Sequence, residues 1–476
     1  MKWLRLVLNT YRLAVGMNDR QMLDPSILRE YDIRGIVGDT LNPEDVALIG
    51  RAFGSVLIEQ GGKTVAVGFD GRLSSPALEE TLVDGLMSCG LMVHKVGLGP
   101  SPMLYFATHI LNCDAGMMIT GSHNPPDYNG IKMTLFGRAF FADDIQKLGD
   151  IVRDGCFASG DGINESHDMR EAYCDRLLKD YHGQGKLTVA WDAGNGAAGE
   201  ILEMMTAKMP GTHYLLNENI DGTFPAHHPD PTVEKNLDQL KQLVADKKCD
   251  LGIAFDGDGD RIGVIDNQGR VIWGDQLLVI LARAVLKDEP GAAILCDVKA
   301  SQVFFDEIKR LGGKPVMWKA GHSHIKTKMV ELNSPLAGEM SAHIFFKHKY
   351  FGYDDALYAA IRLLDVLETG DETLEQIYDA LPKLINTPEI RFDCSETRKF
   401  AVIDEVKARL KSSGAIFHDM DGVRVENSDG WWLLRASNTQ AVLVARIEAA
   451  TDDGLERLKT ALAEQLLKSN IQPPTY

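Results

Sequence analysis

The sequence has no apolar run near the roughly 20 residues that a membrane-spanning helix needs, which argues against a helical membrane protein. It also lacks an excess of basic residues. Lys and Arg number 50 against 68 Asp and Glu, giving a formal charge of −18. That balance opposes binding to nucleic acid or to an anionic membrane, both of which rely on basic patches. No CxxC pair occurs. Seven cysteines, Cys89, Cys113, Cys156, Cys174, Cys249, Cys296 and Cys394, are scattered along the chain. An odd, dispersed set fits neither a disulfide framework nor a zinc site, and predicts reduced thiols in the cytoplasm. A convincing secretion signal is missing too. Lys2 and Arg5 precede a short apolar stretch, but Arg12 interrupts it and no small-residue cleavage site follows. Residues 1–20 are expected to be an amphipathic extension, or to reflect a start assigned upstream of Met17 or Met22.

What remains is ordinary globular composition, 45% hydrophobic and 25% charged. The length predicts about three or four domains. Apolar runs end repeatedly in polar turns. Thr64–Phe69 precedes Asp70-Gly71-Arg72, Leu187–Trp191 precedes Asp192, Leu251–Phe255 precedes Asp256, and Ala293–Cys296 precedes Asp297. Each reads as a buried strand that delivers a polar loop at its carboxyl end. Helical patterns lie between them; one starts near Ser75-Pro76, with a capping serine and proline in the first turn. Alternating strands and helices predict layered α/β units with ligands beyond the strand ends. The last part of the chain differs. A helix over 399–411, short strands near 416–418, 423–425, 431–435 and 442–447, and a helix after Asp452 predict an α+β unit. The fold class is therefore three similar α/β domains with mixed sheets plus a C-terminal α+β domain around a central cleft. The expected boundaries are 1–165, 166–270, 271–383 and 384–476.

Four segments carry chemistry. Cys113–Ile119 leads into Thr120-Gly121-Ser122-His123-Asn124-Pro125-Pro126, a rigid irregular loop with Lys132 beyond it. A serine hydroxyl needs activation to act as a nucleophile, and His123 and Lys132 can move protons or hold anionic oxygens. The loop is not GxSxG, so a hydrolase elbow does not fit.

Asp256, Asp258 and Asp260 alternate with glycines ahead of Arg261. Two carboxylates about 5 Å apart repel by roughly 3 kcal/mol at an effective dielectric near 20, so three pairs cost on the order of 10 kcal/mol. Protons or a cation must offset this, and hard oxygen ligands select Mg²⁺ or Ca²⁺. A calcium EF-hand needs glycine and glutamate where Arg261 and Asn267 stand.

Glu339, Ser341 and His343 cluster in Gly338–His343, and a carboxylate beside a hydroxyl suits vicinal sugar hydroxyls. Arg435, Ser437, Asn438 and Thr439 form a candidate phosphate cradle after Trp431-Trp432. Tyr31, Arg34, Lys299 and His322 are further candidates; each of these segments alone also fits an ordinary polar turn. Any phosphate site in so acidic a chain must be a local basic pocket.

Together the segments resemble the α-D-phosphohexomutase family, bacterial phosphomannomutase/phosphoglucomutase branch. TGSHNPPDYNG is similar to its phosphoserine loop, DGDGDR to its metal loop, GEMSAH to its sugar loop and RASNT to its phosphate loop, in the family's order from about residue 23 onward. YDIRG, DGTFPAHHPDP, DVKAS and MWKAGHSHIK extend the resemblance. The glucosamine-specific branch usually has glutamine after the sugar-loop glutamate and glycine at the position of Asn438. Ala342 stands where glycine is usual, Ala300 where serine is usual and Ala441 where proline is common. These departures bear on loop flexibility and on the relative preference for mannose and glucose.

The resemblance implies a phosphoserine at Ser122 and one Mg²⁺ per chain bridging it to Asp256, Asp258 and Asp260. It implies transfer between hexose 1-phosphate and 6-phosphate through a glucose or mannose 1,6-bisphosphate. Arg435, Ser437, Asn438 and Thr439 then hold the distal phosphate, and Glu339 and Ser341 the sugar. Arg34, His123, Lys132, Lys299 and His322 surround the reacting end, with Tyr31, Arg261 and His343 also lining the substrate site. His123 and Lys132, with Arg34 nearby, are the alternatives for general base. Rotation of the C-terminal domain over the cleft is expected to exclude water. The expected partners are small phosphosugars, with neither nucleic acid nor membrane, and the chain is expected to be a cytoplasmic monomer. A phosphoglucosamine mutase and a metal-dependent sugar phosphatase are the alternatives.

Overall fold

The computed structural model describes residues 22–438 and 440–474. The proposed N-terminal extension and Thr439 lie outside the described residues. Four sheets follow one another along the chain. The first contains β1 (Ile33–Ile36), β2 (Thr64–Phe69), β3 (Met92–Leu98), β4 (Ala115–Ile119), β5 (Tyr128–Leu135), β6 (Arg138–Ala139) and β7 (Ile163–Ser166). Its order is β1-β5-β4-β2-β3-β7, with β6 on β5. The second contains β8 (Thr188–Asp192), β9 (Thr212–Leu216), β10 (Leu251–Phe255), β11 (Ile262–Asp266) and β12 (Val271–Ile272), ordered β12-β11-β10-β8-β9. The third contains β13 (Ala293–Asp297), β14 (Lys314–Trp318), β15 (Leu336–Gly338) and β16 (Ile344–Phe346), ordered β14-β13-β15-β16.

These three sheets share one device. Parallel strands form the centre, and a parallel strand is followed by an antiparallel partner: β4 by β5, β10 by β11, β15 by β16. The serine, aspartate and Glu339 segments are the three connections between these pairs. The reason is local. β4, β10 and β15 are buried along their whole length, so polar groups must wait until the chain leaves the sheet.

The fourth sheet contains β17 (Ile385–Asn386), β18 (Ile390–Asp393), β19 (Phe417–His418), β20 (Val423–Asn427), β21 (Gly430–Ala436) and β22 (Val442–Ala449). All the pairings in it are antiparallel, and the Arg435–Asn438 segment leads out of β21 toward β22. β17 and β18 precede the helix with which the sequence opens this unit. They are short and only half-buried, so they carry little hydrophobic pattern. The helix Asp452–Lys468 shows why these elements form. The Thr451 side chain accepts from Gly454 N at 3.1 Å, two aspartates occupy the first turn, and Leu455, Leu458, Leu462 and Leu466 bury one face.

One hydrophobic core runs through the second and third units and takes in the helix Ser101–Ile110 of the first. The fourth unit has its own core. It meets the third unit through a small cluster of Val298, Trp431 and Leu433. Buried Arg424 reinforces that contact, donating to Val298 O at 2.9 Å and Ala300 O at 2.7 Å.

The capping serine is a correction. The helix Ser75–Met87 has Ser74 at its N-cap, but no side chain caps it. Ser74 Oγ accepts from Asn129 Nδ2 at 2.9 Å, and Ser75 Oγ donates to Asp70 at 2.6 Å. Buried Asp70 competes for the hydroxyl that periodicity alone assigns to the helix.

Candidate active site

Ser122 is 3% exposed and adopts the left-handed backbone conformation, φ 48°. A buried ion pair imposes that shape. Asp70, at the end of β2, accepts from Thr120 Oγ1 at 2.8 Å and Gly121 N at 3.0 Å. Arg72 Nε donates back to Asp70 at 3.2 Å. The same guanidinium donates to the carbonyls of Ser122 at 2.8 Å, Asn124 at 2.6 Å and Tyr128 at 3.0 Å, and also to Pro125 O. Gly121 is required here, because a Cβ would lie 2.2 Å from Arg72 Nε. The Asp70-Gly71-Arg72 turn is legible in the sequence as a polar strand end, yet its clamping role depends on groups about 50 residues away.

Asp256, Asp258 and Asp260 are fully buried and offer oxygens within 4.8 Å of one another. The hydroxyl of Ser122 donates to Asp256 Oδ2 at 2.9 Å and lies 3.2 Å from His123 Nδ1. Lys132 Nζ donates to Asp258 at 2.7 Å and also to Asp260. Ser101, which the sequence did not single out, donates to Asp258 through its hydroxyl and through N–H to the Asp258 carbonyl at 2.8 Å.

Burial, with Asp258 and Asp260 alongside, pushes Asp256 well above the usual carboxylate range. Burial acts the same way on Asp260, but Lys132 and His343 override it and hold it well below that range. Burial also works against the charge of Lys132, which Asp258 and Asp260 more than restore. Burial and the cations Arg261 and Arg34 hold His123 neutral, well below the ordinary histidine range. The cluster fits a hard dication. Asp258 Oδ1 and Asp260 Oδ1 are buried without hydrogen-bond partners, and the donors are all oxygen.

The Glu339 segment abuts this cluster through an isolated antiparallel bridge between Arg261 and His343. Glu339 Oε1 accepts from Gly321 N at 2.6 Å, and Oε2 lies 3.1 Å from His343 Nδ1. The other face of His343 lies 3.4 Å from Asp260. Burial opposes charge on His343, but Asp260 and Glu339 raise it to about 9. Ser341 Oγ lies 3.2 Å from His343 Nδ1. Ala342 has φ 70°, a left-handed conformation in which a Cβ costs about 1–2 kcal/mol, so the unusual alanine carries strain. His322 stacks edge-on to Tyr31 and faces Asp354 at 3.7 Å, while Lys326 donates to Asp354 at 3.0 Å. Burial and Lys326 hold His322 well below its ordinary range.

Of the remaining candidates, Arg34 lies beside the serine loop, whereas Lys299, expected at the reacting end, lies with Glu389 and Arg435. Arg435 Nε donates to both oxygens of Asp421 at 3.1 Å, and Lys299 Nζ donates to Glu389 at 3.1 Å. Arg34 pairs with Asp32 and reaches Asn124 at 3.4 Å. Tyr31 OH donates to Ala320 O at 3.0 Å and accepts from Asn438 Nδ2 at 2.8 Å. Ser437 Oγ accepts from Gln440 N at 3.2 Å. The sequence missed Asp421 and Glu389 because a lone acid in an acidic chain gives no signal; only the fold sets them against the two cations. Thr439 lies outside the described residues.

Comparison with known sequences decides the family. The phosphoglucomutase/phosphomannomutase alpha/beta/alpha domains I, II and III match residues 25–158, 171–269 and 273–385, and its C-terminal domain matches 389–465. The chain belongs to the phosphoglucomutase/phosphomannomutase family. Within this family, a phosphomannomutase/phosphoglucomutase of Pseudomonas aeruginosa is 45% identical over 93% of this chain and 96% of its own length. A phosphoglucomutase of Neisseria gonorrhoeae is 41% identical over 93% of this chain and 97% of its own. A crystal structure of a phosphoglucomutase/phosphomannomutase family protein from Burkholderia thailandensis superimposes with TM-score 0.89 at 40% identity, covering 94% of this chain and 98% of that one. Like those of this family, the four units are three α/β layers and a C-terminal α+β unit. Among the described residues, no helix is long and apolar enough to cross a membrane.

Proposed function

We propose that the chain is a phosphomannomutase/phosphoglucomutase that interconverts hexose 1-phosphate and hexose 6-phosphate through a phosphorylated Ser122. The observation that carries this reading is the 2.9 Å contact between the Ser122 hydroxyl and Asp256, inside a cluster of three buried carboxylates. Asp256, Asp258 and Asp260, with the Ser122 oxygen, would hold one Mg²⁺, which when bound supplies positive charge against the phosphoryl oxygens.

The residues then divide the work. The Ser122–phosphorus bond breaks as a sugar hydroxyl forms its own bond to phosphorus, giving a 1,6-bisphosphate. The sugar hydroxyl gives up its proton, and the Ser122 oxygen takes one. In the return half, the bisphosphate's other sugar oxygen–phosphorus bond breaks as Ser122 gives up its proton and receives that phosphoryl group, and the freed sugar oxygen takes a proton. Of the two alternatives for base at Ser122, His123 is neutral and 3.2 Å from the hydroxyl, whereas Lys132 is held charged. A base must be neutral before it accepts a proton, which favours His123. Glu339, Ser341 and His343 face the sugar, with His322, Tyr31 and Arg261 beside them. Arg435, Ser437, Asn438 and Thr439, with Lys299, bind the distal phosphate once it competes with Asp421 and Glu389 for the two cations. Arg34 and Lys132 stabilise charge at the reacting end. Rotation of the fourth unit over the cleft would exclude water, which favours transfer to sugar. Unpaired thiols support a cytoplasmic setting, and the substrate reading requires only one chain.

The test follows mannose 1-phosphate and glucose 1-phosphate side by side, with and without Mg²⁺, in wild type and Ser122→Ala. The expected result is Mg²⁺-dependent conversion of both sugars, no release of inorganic phosphate, and loss of phosphoprotein in the variant with turnover down at least about 10³-fold. Wild-type turnover by an unlabelled Ser122→Ala chain would end the proposal.

A further inference from the structure

Outside the cleft, three more ligand-bearing side chains converge at the edge of the first sheet. β3 and β7 run parallel, with His94 in register with Glu165. Strand residues two apart share a face, so Glu165 and His167 lie on the same face as His94. The ladder continues past β7, where His167 N donates to Lys95 O at 2.8 Å. Two imidazoles therefore meet head to head. His94 Nδ1 is 2.9 Å from His167 Nε2, and Glu165 Oε2 is 3.7 Å from that same nitrogen. One ligand atom from each residue falls within 4.8 Å of the other two.

The neighbouring cations are engaged elsewhere. Lys95 pairs with Glu79 at 2.9 Å, and Arg170 with Asp168 at 2.7 Å and Glu200 at 2.5 Å. Two facing ring nitrogens can share one proton, and a dication can replace it.

We propose that His94, Glu165 and His167 form a second metal site, for a borderline transition-metal dication such as Zn²⁺, with water in the remaining position. Two imidazoles and one carboxylate are a zinc-type donor set, whereas Mg²⁺ prefers oxygen alone. The two clusters thereby sort metals by donor chemistry. Zinc–nitrogen bonds of about 2.0–2.1 Å in tetrahedral geometry need ring nitrogens a few tenths of an ångström further apart than they are here. Small ring rotations provide this.

Position gives the site a role. β7 is an exposed edge strand with β3 as its neighbour in the sheet. Just beyond His167, the helix Arg170–Leu178 sends Tyr173, Cys174 and Leu177 into the core shared by the second and third units. A bound ion therefore staples the crossing from the first unit to the rest.

The experiment uses the full untagged chain in excess Mg²⁺, so that the aspartate cluster is occupied. Zn²⁺ uptake by equilibrium dialysis and Co²⁺ binding by visible absorption are compared in wild type, His94→Gln, His167→Gln and Glu165→Gln. The expected result is one equivalent bound by wild type, an intense tetrahedral Co²⁺ spectrum, and affinity lower by on the order of tenfold or more in each variant. Zn²⁺ should raise Tm in wild type but not in the histidine variants, all of which keep wild-type secondary structure by circular dichroism. Glu165 is exposed, so its variant remains informative should a histidine variant misfold. Unchanged stoichiometry and affinity in folded variants, or no Zn²⁺ uptake by wild type beyond what Mg²⁺ displaces, overturns the proposal.

Discussion

The Ser122 hydroxyl donates to Asp256 Oδ2 at 2.9 Å although 134 residues separate the two. The loops come from different sheets, and their closeness depends on Gly257. A Cβ there would lie 2.4 Å from the Ser122 carbonyl oxygen. Gly257→Ala should push the loops apart by a fraction of an ångström to an ångström. A displacement of that size costs about 10²-fold in rate. Steady-state kinetics should show the loss in kcat, with KM little changed; a variant with wild-type kcat would show that the approach is incidental.

Arg72 is a positioning residue. It fixes four carbonyls of the serine loop while paired with buried Asp70. Removing one partner of a buried pair leaves an uncompensated charge and costs about 3–5 kcal/mol. Arg72→Ala should lose that much in urea unfolding, and Arg72→Lys should recover charge but not the fork of donors. Both should label poorly at Ser122. Full labelling of Arg72→Lys would remove Arg72 from the clamp.

Tyr31 ties three units at one atom, donating to Ala320 O and accepting from Asn438 Nδ2. A neutral hydrogen bond contributes about 1 kcal/mol, so losing both in Tyr31→Phe should raise KM for hexose phosphate about 30-fold. Tyr31→Phe and Asn438→Ala share one bond and should be less than additive in a double-mutant cycle. Strict additivity would mean that the contact does not matter to the bound enzyme.

Asp355 supplies a pH signature of its own, one residue from Asp354, whose carboxylate lies within 4.8 Å of Asp260 and His343. Its carboxylate accepts from Tyr173 OH at 3.0 Å, Tyr350 OH at 2.7 Å and Tyr358 N at 2.9 Å, yet burial raises it from 3.8 to about 7. The folded chain thus holds a proton that the unfolded chain releases. Its contribution is present in full below about pH 4 and is lost as pH rises toward 7, a displacement worth up to about 4 kcal/mol. Asp355→Asn stays neutral throughout. Urea melts at pH 5 and pH 8 should show the variant gaining on wild type at the higher pH. Parallel stability curves would contradict the assignment.

Much of the site was legible because its groups lie in short local runs. Asp256, Asp258 and Asp260 fit one six-residue hairpin between Phe255 and Ile262, and Ser122, His123 and Lys132 flank a single turn. β2 and β10 have the bounds that their apolar runs predict. Strands such as β17 and β18, half-exposed and under five residues, offered no comparable pattern.

The chain's own chemistry settled which residues can carry phosphate, hold a dication and grip a sugar, since side-chain identity and loop spacing are properties of contiguous sequence. Folding decided the partners: Asp70 with Arg72 behind Ser122, Asp421 against Arg435, Glu389 against Lys299, and His94 facing His167. Apart from the Asp70–Arg72 pair and the Asp421–Arg435 pair across the β20–β21 hairpin, such pairings join strands and loops far apart in sequence. Charge, protonation and access at each group are set by what the sheets bring within a few ångströms, which no local pattern encodes.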